Sequence, residues 1–228
     1  VCLQPILVGL IAPRFVGGLR VTCEKTLAVV EQVLKREINA GIVSLLRARG
    51  ANARPLHGDW IFTVERKTGA DPATGAPVDL GFVGEPVAVE TGTVAEMLDA
   101  GIVPVVTPLG VAADGRLHNV NADTAAAALA VALRARKLAF VSDVPGLLRD
   151  AADPESLISS LRVGEIAALC RQGVVGGGML PKLESCAAAI RAGVGKVHLV
   201  DGRMPHALLL EIFTRKGAGT EIVADEQE

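Results

Sequence analysis

Short apolar strands alternate with helices from about Val94 to the end of the chain, and this rhythm limits the folds open to it more than any other feature. The spacing predicts helices around Val94 to Leu98, Ala122 to Arg136, Val163 to Gln172, Leu183 to Ala192 and Pro205 to Phe213. Between them it predicts strands at Ile102 to Thr107, Leu138 to Ser142, Lys196 to Val200 and near Glu221 to Val223. A strand that is apolar throughout cannot turn either face to water, so helices must cover both faces of a largely parallel sheet. The expectation is therefore an α/β protein, a three-layer α-β-α sandwich with a mainly parallel sheet, built as a single layered domain. In the Ala125 to Ala132 run, small side chains would let a helix lie close to that sheet.

Upstream the pattern differs. Leu27, Val30, Leu34, Ile38, Ile42 and Leu45 recur every three or four residues from Thr26 to Arg47, which predicts one long helix with a single buried stripe. Residues 51 to 90 are rich in Gly, Pro and Asp, and their β-prone pieces (Trp60 to Val64, Val87 to Val89) read as a hairpin-like insertion turning at Gly69 to Gly75.

Composition removes several classes of function. The 228 residues are 50% hydrophobic and 21% charged, enough apolar material for a large core. The formal net charge is -2 with no basic concentration, which disfavours a nucleic-acid partner. Aromatics are 3% with no Tyr, so a base-stacking platform is not expected. Cys2, Cys23, Cys170 and Cys186 form no C-x-x-C pair, and no His/Cys group has zinc spacing, so reduced cysteines and no bound metal are expected. No apolar run reaches the roughly 20 residues that span a bilayer, and Pro5, Gly9 and Pro13 interrupt the apolar start. No membrane partner and a cytoplasmic location are expected.

In open α/β sheets, ligands gather where strands end and helices begin, because helix N-termini offer unpaired N–H groups and positive dipole ends. Four segments fit that setting. Leu117 to Asp123 (LHNVNAD) precedes the alanine-rich helix; Asn121 or Asp123 could cap it, yet two Asn and one Asp exceed what a cap requires. Val141 to Gly146 (VSDVPG) runs from a strand into a Pro-Gly turn; a plain type II turn explains the Pro-Gly, and the Ser-Asp before it suggests a nucleotide. Val174 to Lys182 (VVGGGMLPK) sets three glycines before a helix whose first turn carries Lys182, an arrangement that suits a phosphate although it is not a Walker A loop. Gly17 to Thr22 (GGLRVT) holds Arg20 at a glycine turn, and its planar fork suits a small carboxylate.

In this order, PRFVGGLRVT, DLGFVGE, NVNAD, SDVPGLL, GGGMLPK and DGRMPHALLLEIFTRKGAGT resemble the N-acetylglutamate kinases of the amino acid kinase family, from about Pro13 to the end of the chain. The resemblance implies the carbamate kinase-like fold, with 1–101 a remnant of an N-terminal substrate-binding lobe and 102–228 a C-terminal nucleotide-binding lobe. It implies phosphoryl transfer from ATP, carrying Mg2+, to the side-chain carboxylate of N-acetyl-L-glutamate, by a homo-oligomer. Arg20 and Asn119 would bind the carboxylates, Lys182 would stabilise the phosphoryl group in flight, and Asp123 would orient the catalytic lysines. ATP would lie against Asp143, Val144, Pro145, Gly146, Leu147, Leu148, Val174, Val175 and Gly176. His206, Glu211, Gly217 and Gly219 resemble the arginine-binding segment of feedback-inhibited members.

The chain departs from the family at its start. Members carry a Lys-x-Gly-Gly turn and a His-Gly-Gly-Gly loop on their first strands, and neither occurs before Pro13. The expectation is an N-terminally incomplete fold and a poor or inactive kinase. The alternatives are a catalytically impaired binding or interaction protein and a kinase for a related acidic amino-acid derivative.

Overall fold

The computed structural model describes residues 14–71, 74–150, 152–175, 179–214 and 217–225. They form two compact units that divide after Ala125. The expected boundary at 101/102 lies inside the first of them, because the strands that follow it pair with strands that precede it.

The first unit opens with a small hairpin, β1 (Phe15–Val16) and β2 (Leu19–Arg20), turned by Gly17 and Gly18. Both glycines have positive φ, 54° and 79°, as a two-residue hairpin turn with the right twist requires. Helix α1 (Glu24–Gln32) leads through a π-helical segment, Val33–Asn39, into α2 (Ala40–Arg47). The predicted long helix is present, but its buried stripe changes phase. Val30 and Leu34 are buried as expected; beyond them Asn39 and Val43 are buried, whereas Ile42 is 38% and Leu45 60% exposed. A π turn bonds five residues apart instead of four. The step from Leu34 to Asn39 follows that longer turn and moves the inward face one residue along.

Next come β3 (Ala53–Leu56), β4 (Phe62–Ala70) and β5 (Pro77–Val89), then helix α3 (Gly92–Asp99), β6 (Val103–Val106), β7 (Leu109–Ala112) and β8 (Leu117–Val120). β3 and β6 pair in parallel. The predicted hairpin is β4 against β5. It is part of a four-stranded closed barrel, β4-β5-β8-β7, which the sequence reading does not foresee. Two glycines make room for its filling: a Cβ on Gly110 would sit 2.3 Å from Val64 Cγ1, and one on Gly84 would sit 2.8 Å from Val64 Cγ2. Val64 itself is buried.

Helix α4 (Ala122–Ala132) spans the division between units. The second unit continues with β9 (Lys137–Ser142), β10 (Ser160–Arg162), α5 (Ile166–Arg171), α6 (Met179–Arg191), β11 (Lys196–Asp201), α7 (Ala207–Phe213) and β12 (Thr220–Val223). Its sheet has the order β10-β12-β11-β9, parallel except where β11 meets β12. Leu138, Phe140, Val197, Leu199 and Ile222 of the sheet pack with Ala130, Leu183, Ala187 and Ile190 of the helices in one core. The small side chains of α4 and α6 permit that close approach.

Candidate active site

In the first unit the segments singled out around Arg20 and Asn119 meet at Thr22, which is fully buried. Thr22 Oγ1 donates to the Arg20 carbonyl at 3.0 Å and accepts from Asn119 Nδ2 at 3.3 Å. One hydroxyl thus ties the end of β2 to the middle of β8. The main chain of Thr22 is fixed as firmly: its N–H donates to Leu80 O at 2.9 Å, and its carbonyl accepts from Phe82 N at 2.7 Å. Gly81, between those two, has φ 72° and lies so close that a Cβ would stand 2.3 Å from Thr22 O. That contact accounts for the glycine of the DLGFVGE segment. The half-buried Arg20 lays its guanidinium over the Phe15 ring, 4.7 Å from its centroid. This cation–π contact sets the orientation of the planar fork.

Asn119 is bracketed by ladder partners, Val83 on β5 and Leu109 on β7. Just beyond β8, Asn121 takes the cap of α4: its Oδ1 accepts from Thr124 N at 3.0 Å, and its carbonyl from Ala125 N at 2.9 Å. Of the two capping candidates, Asn121 fills the role. Asp123 stands in the first turn, where the helix dipole favours a carboxylate.

In the second unit β9 and β11 run parallel with Ser142 opposite Asp201, so both strands end their carboxyl edges together. This is where ligands bind in open α/β sheets. Ser142 Oγ is buried without a hydrogen-bond partner among the described residues. Asp143 is exposed just beyond it, and Val144 and Pro145 are half-buried. Leu147 is instead a core side chain, and Leu148 bridges to Leu157. The turn is anchored from below: Leu147 N donates to Thr220 Oγ1 at 2.8 Å, and a Cβ on Gly146, with φ 127°, would come within 2.7 Å of that oxygen. Sequence reasoning misses Asp201 and Arg203, which form a two-bond pair at 2.9 and 2.8 Å beside this edge. The Arg203 side chain, and then its backbone N–H, hold the Asp201 carboxyl below its usual range. The signal was a D-G-R run closing the apolar strand KVHLV.

Lys182 lies in the first turn of α6, half-buried, with its ammonium 5.3 Å from the Phe140 ring centroid. Gly176, Gly177 and Gly178 of the expected phosphate loop lie outside the described residues. Val174 is half-buried and Val175 is buried in the core, both amides reaching back to Leu169 O.

The expected regulatory residues are largely committed to internal contacts. Glu211 on α7 is buried; its Oε1 accepts from His198 Nδ1 at 2.7 Å and its Oε2 from Ala218 N and Gly219 N, each at 2.8 Å. A Cβ on Gly217 would stand 2.6 Å from Glu211 Oε2, and one on Gly219 2.0 Å from Leu199 O. Those contacts explain both glycines without a ligand. His206 is exposed, with φ 61°, at the start of α7.

Two parallel strands ending side by side at an orphaned serine hydroxyl, a lysine in a helix first turn and an Arg/Asn pair joined through Thr22 are compatible with a phosphotransferase. Residues 8–201 match the amino acid kinase family, and the chain belongs to that family. Within it the similarity runs to acetylglutamate kinases: that of Heliobacterium modesticaldum is 47% identical over 215 residues, 92% of this chain and 73% of that enzyme. Among solved structures, the N-acetylglutamate synthase of Neisseria gonorrhoeae complexed with coenzyme A and N-acetyl-glutamate superposes with a TM-score of 0.79 at 26% identity, over 99% of this chain and 51% of that one. The carbamate kinase of Giardia shares the fold, with a TM-score of 0.60 at 17% identity over 87% of this chain and 72% of its own. The fold is the carbamate kinase-like α/β sandwich of the family. No described helix is long and apolar enough to cross a membrane.

Proposed function

We propose that this chain is an acetylglutamate kinase, which transfers the terminal phosphoryl group of ATP to the side-chain carboxylate of N-acetyl-L-glutamate in arginine biosynthesis. The observation that carries the reading is the Thr22 junction, where one buried hydroxyl joins Arg20 to Asn119. A guanidinium fork pairs with a carboxylate through two parallel hydrogen bonds. Asn119, with one N–H directed to Thr22, has a second N–H and a carbonyl to offer the substrate. The 47% identity to an acetylglutamate kinase supports the same substrate.

The nucleophile is a carboxylate, ionised at neutral pH because its pKa is about 4, so no general base is required. What remains is to align the reactants and neutralise the oxygens of the phosphoryl group in transit. Lys182 is the cation for that task, and the family resemblance gives Asp123 the role of orienting catalytic lysines. The nucleotide would lie along Asp143 to Leu148 and Val174 to Gly176, where the orphaned Ser142 hydroxyl gives it a hydrogen-bonding partner. Magnesium enters with ATP as part of the substrate and spreads the phosphate charge. Among the described residues no three His, Cys, Asp or Glu side chains cluster where they could hold a metal ion. The substrates are water-soluble, in keeping with a cytoplasmic enzyme, and Leu209 and Phe213, 56% and 80% exposed, are apolar surface that a second copy would cover in a homo-oligomer.

A coupled ADP-release assay tests the proposal. Arg20→Lys loses the fork and is expected to raise KM for acetylglutamate about 10-fold or more, the scale of one charge-assisted hydrogen bond. Lys182→Met is expected to lower kcat about 100- to 1,000-fold with KM for acetylglutamate little changed. ADP release that does not depend on acetylglutamate, or that either variant leaves intact, would refute the assignment.

A further inference from the structure

The Thr22 junction has a support on the outer side of the β4–β5 hairpin. Arg66 Nη2 donates to both oxygens of Asp79 at 2.7 Å, and Arg66 Nε donates to the Gly81 carbonyl at 3.1 Å. Asp79 Oδ1 in turn accepts from Gly81 N at 2.8 Å. Both polar groups of the Gly81 peptide backbone are therefore held by one ion pair. Gly81 is the residue whose left-handed bend lets Thr22 pass close, and Leu80 and Phe82 on either side hold the Thr22 N–H and carbonyl. Thr22 then carries Arg20 and Asn119.

We infer that Arg66 and Asp79 are positioning residues for the acetylglutamate pocket, acting through Gly81 and Thr22 on Arg20 and Asn119. The inference rests on the functional reading above. A role in stability alone explains the pair poorly: the two side chains are 57% and 70% exposed, and an exposed ion pair adds little to stability. The geometry is also more specific than a surface pair needs, since a guanidinium and a carboxylate take the backbone acceptor and donor of one residue, Gly81, and so hold the two peptide units that flank it. The Gly81 N–H, and after it Arg66, hold the Asp79 carboxyl below its ordinary range, so the arrangement persists at any pH where the enzyme would work. Bound geometry off by about 1 Å costs on the order of 100-fold in rate, so a pair remote from the reacting atoms can still matter.

The test uses the full chain with Asp79→Ala, Asp79→Asn and Arg66→Ala. Asp79→Ala is expected to raise KM for acetylglutamate about 5- to 20-fold, with KM for ATP and the thermal midpoint nearly unchanged. Asp79→Asn keeps an acceptor for the Gly81 N–H and is expected to recover part of that loss. Combining Arg66→Ala with Asp79→Ala is expected to be no worse than Asp79→Ala alone, because both act through the backbone of one residue, Gly81. A second readout needs no substrate: in NMR spectra of the free protein, the Thr22 backbone amide and the Asn119 side-chain amide are expected to shift in Asp79→Ala. Unmoved resonances, or shifted resonances with an unaltered acetylglutamate KM, overturn the inference alone. A wild-type chain with no acetylglutamate response overturns the functional reading, and the role assigned to this pair falls with it.

Discussion

Glu211 shows how a residue's role can be hidden by the company it keeps. Its motif suggests arginine binding, yet its partner His198 comes from a strand earlier in the chain, and no pattern in the sequence joins the two. A carboxylate only accepts, so the proton of His198 Nδ1 points at Glu211. Glu211→Ala would leave that N–H and two backbone N–H groups without their acceptor in a buried setting. At about 1–3 kcal/mol for each orphaned group, the expected loss is about 3 kcal/mol or more, read as a lower urea midpoint. The pH dependence follows from the same contacts. Burial opposes the charge, but the bonds from His198, Ala218 and Gly219 outweigh it and hold the carboxyl below its ordinary 4.5. A depressed folded pKa contributes stability that is complete above the unfolded value and is lost as pH falls through the folded one. Wild type is therefore expected to lose stability below about pH 4.5 more steeply than Glu211→Gln, in urea melts from pH 6 down to pH 3.

Among the elements, legibility depended on length and on what each strand faces. β11 of the second unit is buried over four consecutive residues, and β9 and β11 sit within a residue of their expected positions. β7 and β8 are four residues each and carry Gly, His and Asn, so their composition resembles a loop; only closure of the barrel pairs them. The helix from Glu24 to Arg47 was readable as a helix but not in its phase, because periodicity assumes 3.6 residues per turn throughout and the Val33–Asn39 segment does not obey it. Two substitutions separate the phases. With the π turn present, Val43→Ala is expected to cost about 2 kcal/mol, the scale of removing buried methyl groups, and Ile42→Ala less than about 0.5 kcal/mol. An uninterrupted α-helix would reverse that order in chemical denaturation.

For the molecule as a whole, the sequence motifs divide between the units without showing where the chain divides. Arg20, Thr22, Asn119 and Asp123 belong to the first unit, whereas Ser142, Asp143, Lys182 and Asp201 belong to the second. The division falls within α4 because the residues just before it are committed by β8 to the barrel and those just after it pack into the core of the second unit. A helix pattern is continuous across such a point, so periodicity could not mark it. The assignment of one substrate to each unit has a direct consequence for amide exchange, since a ligand lowers the local opening of the segments it contacts. N-acetyl-L-glutamate alone is expected to slow exchange in residues 19–22, 80–83 and 118–121. ATP with magnesium is expected to slow it in residues 142–148 and 174–175. The buried Thr22 amide is already hydrogen-bonded to Leu80 O, so its protection should rise least, while the half-buried Arg20 segment and the strand end at Ser142 should respond most. Protection by acetylglutamate confined to the second unit would contradict the Arg20/Asn119 assignment, and protection by ATP confined to the first would contradict the placement of the nucleotide at the carboxyl edge of β9 and β11.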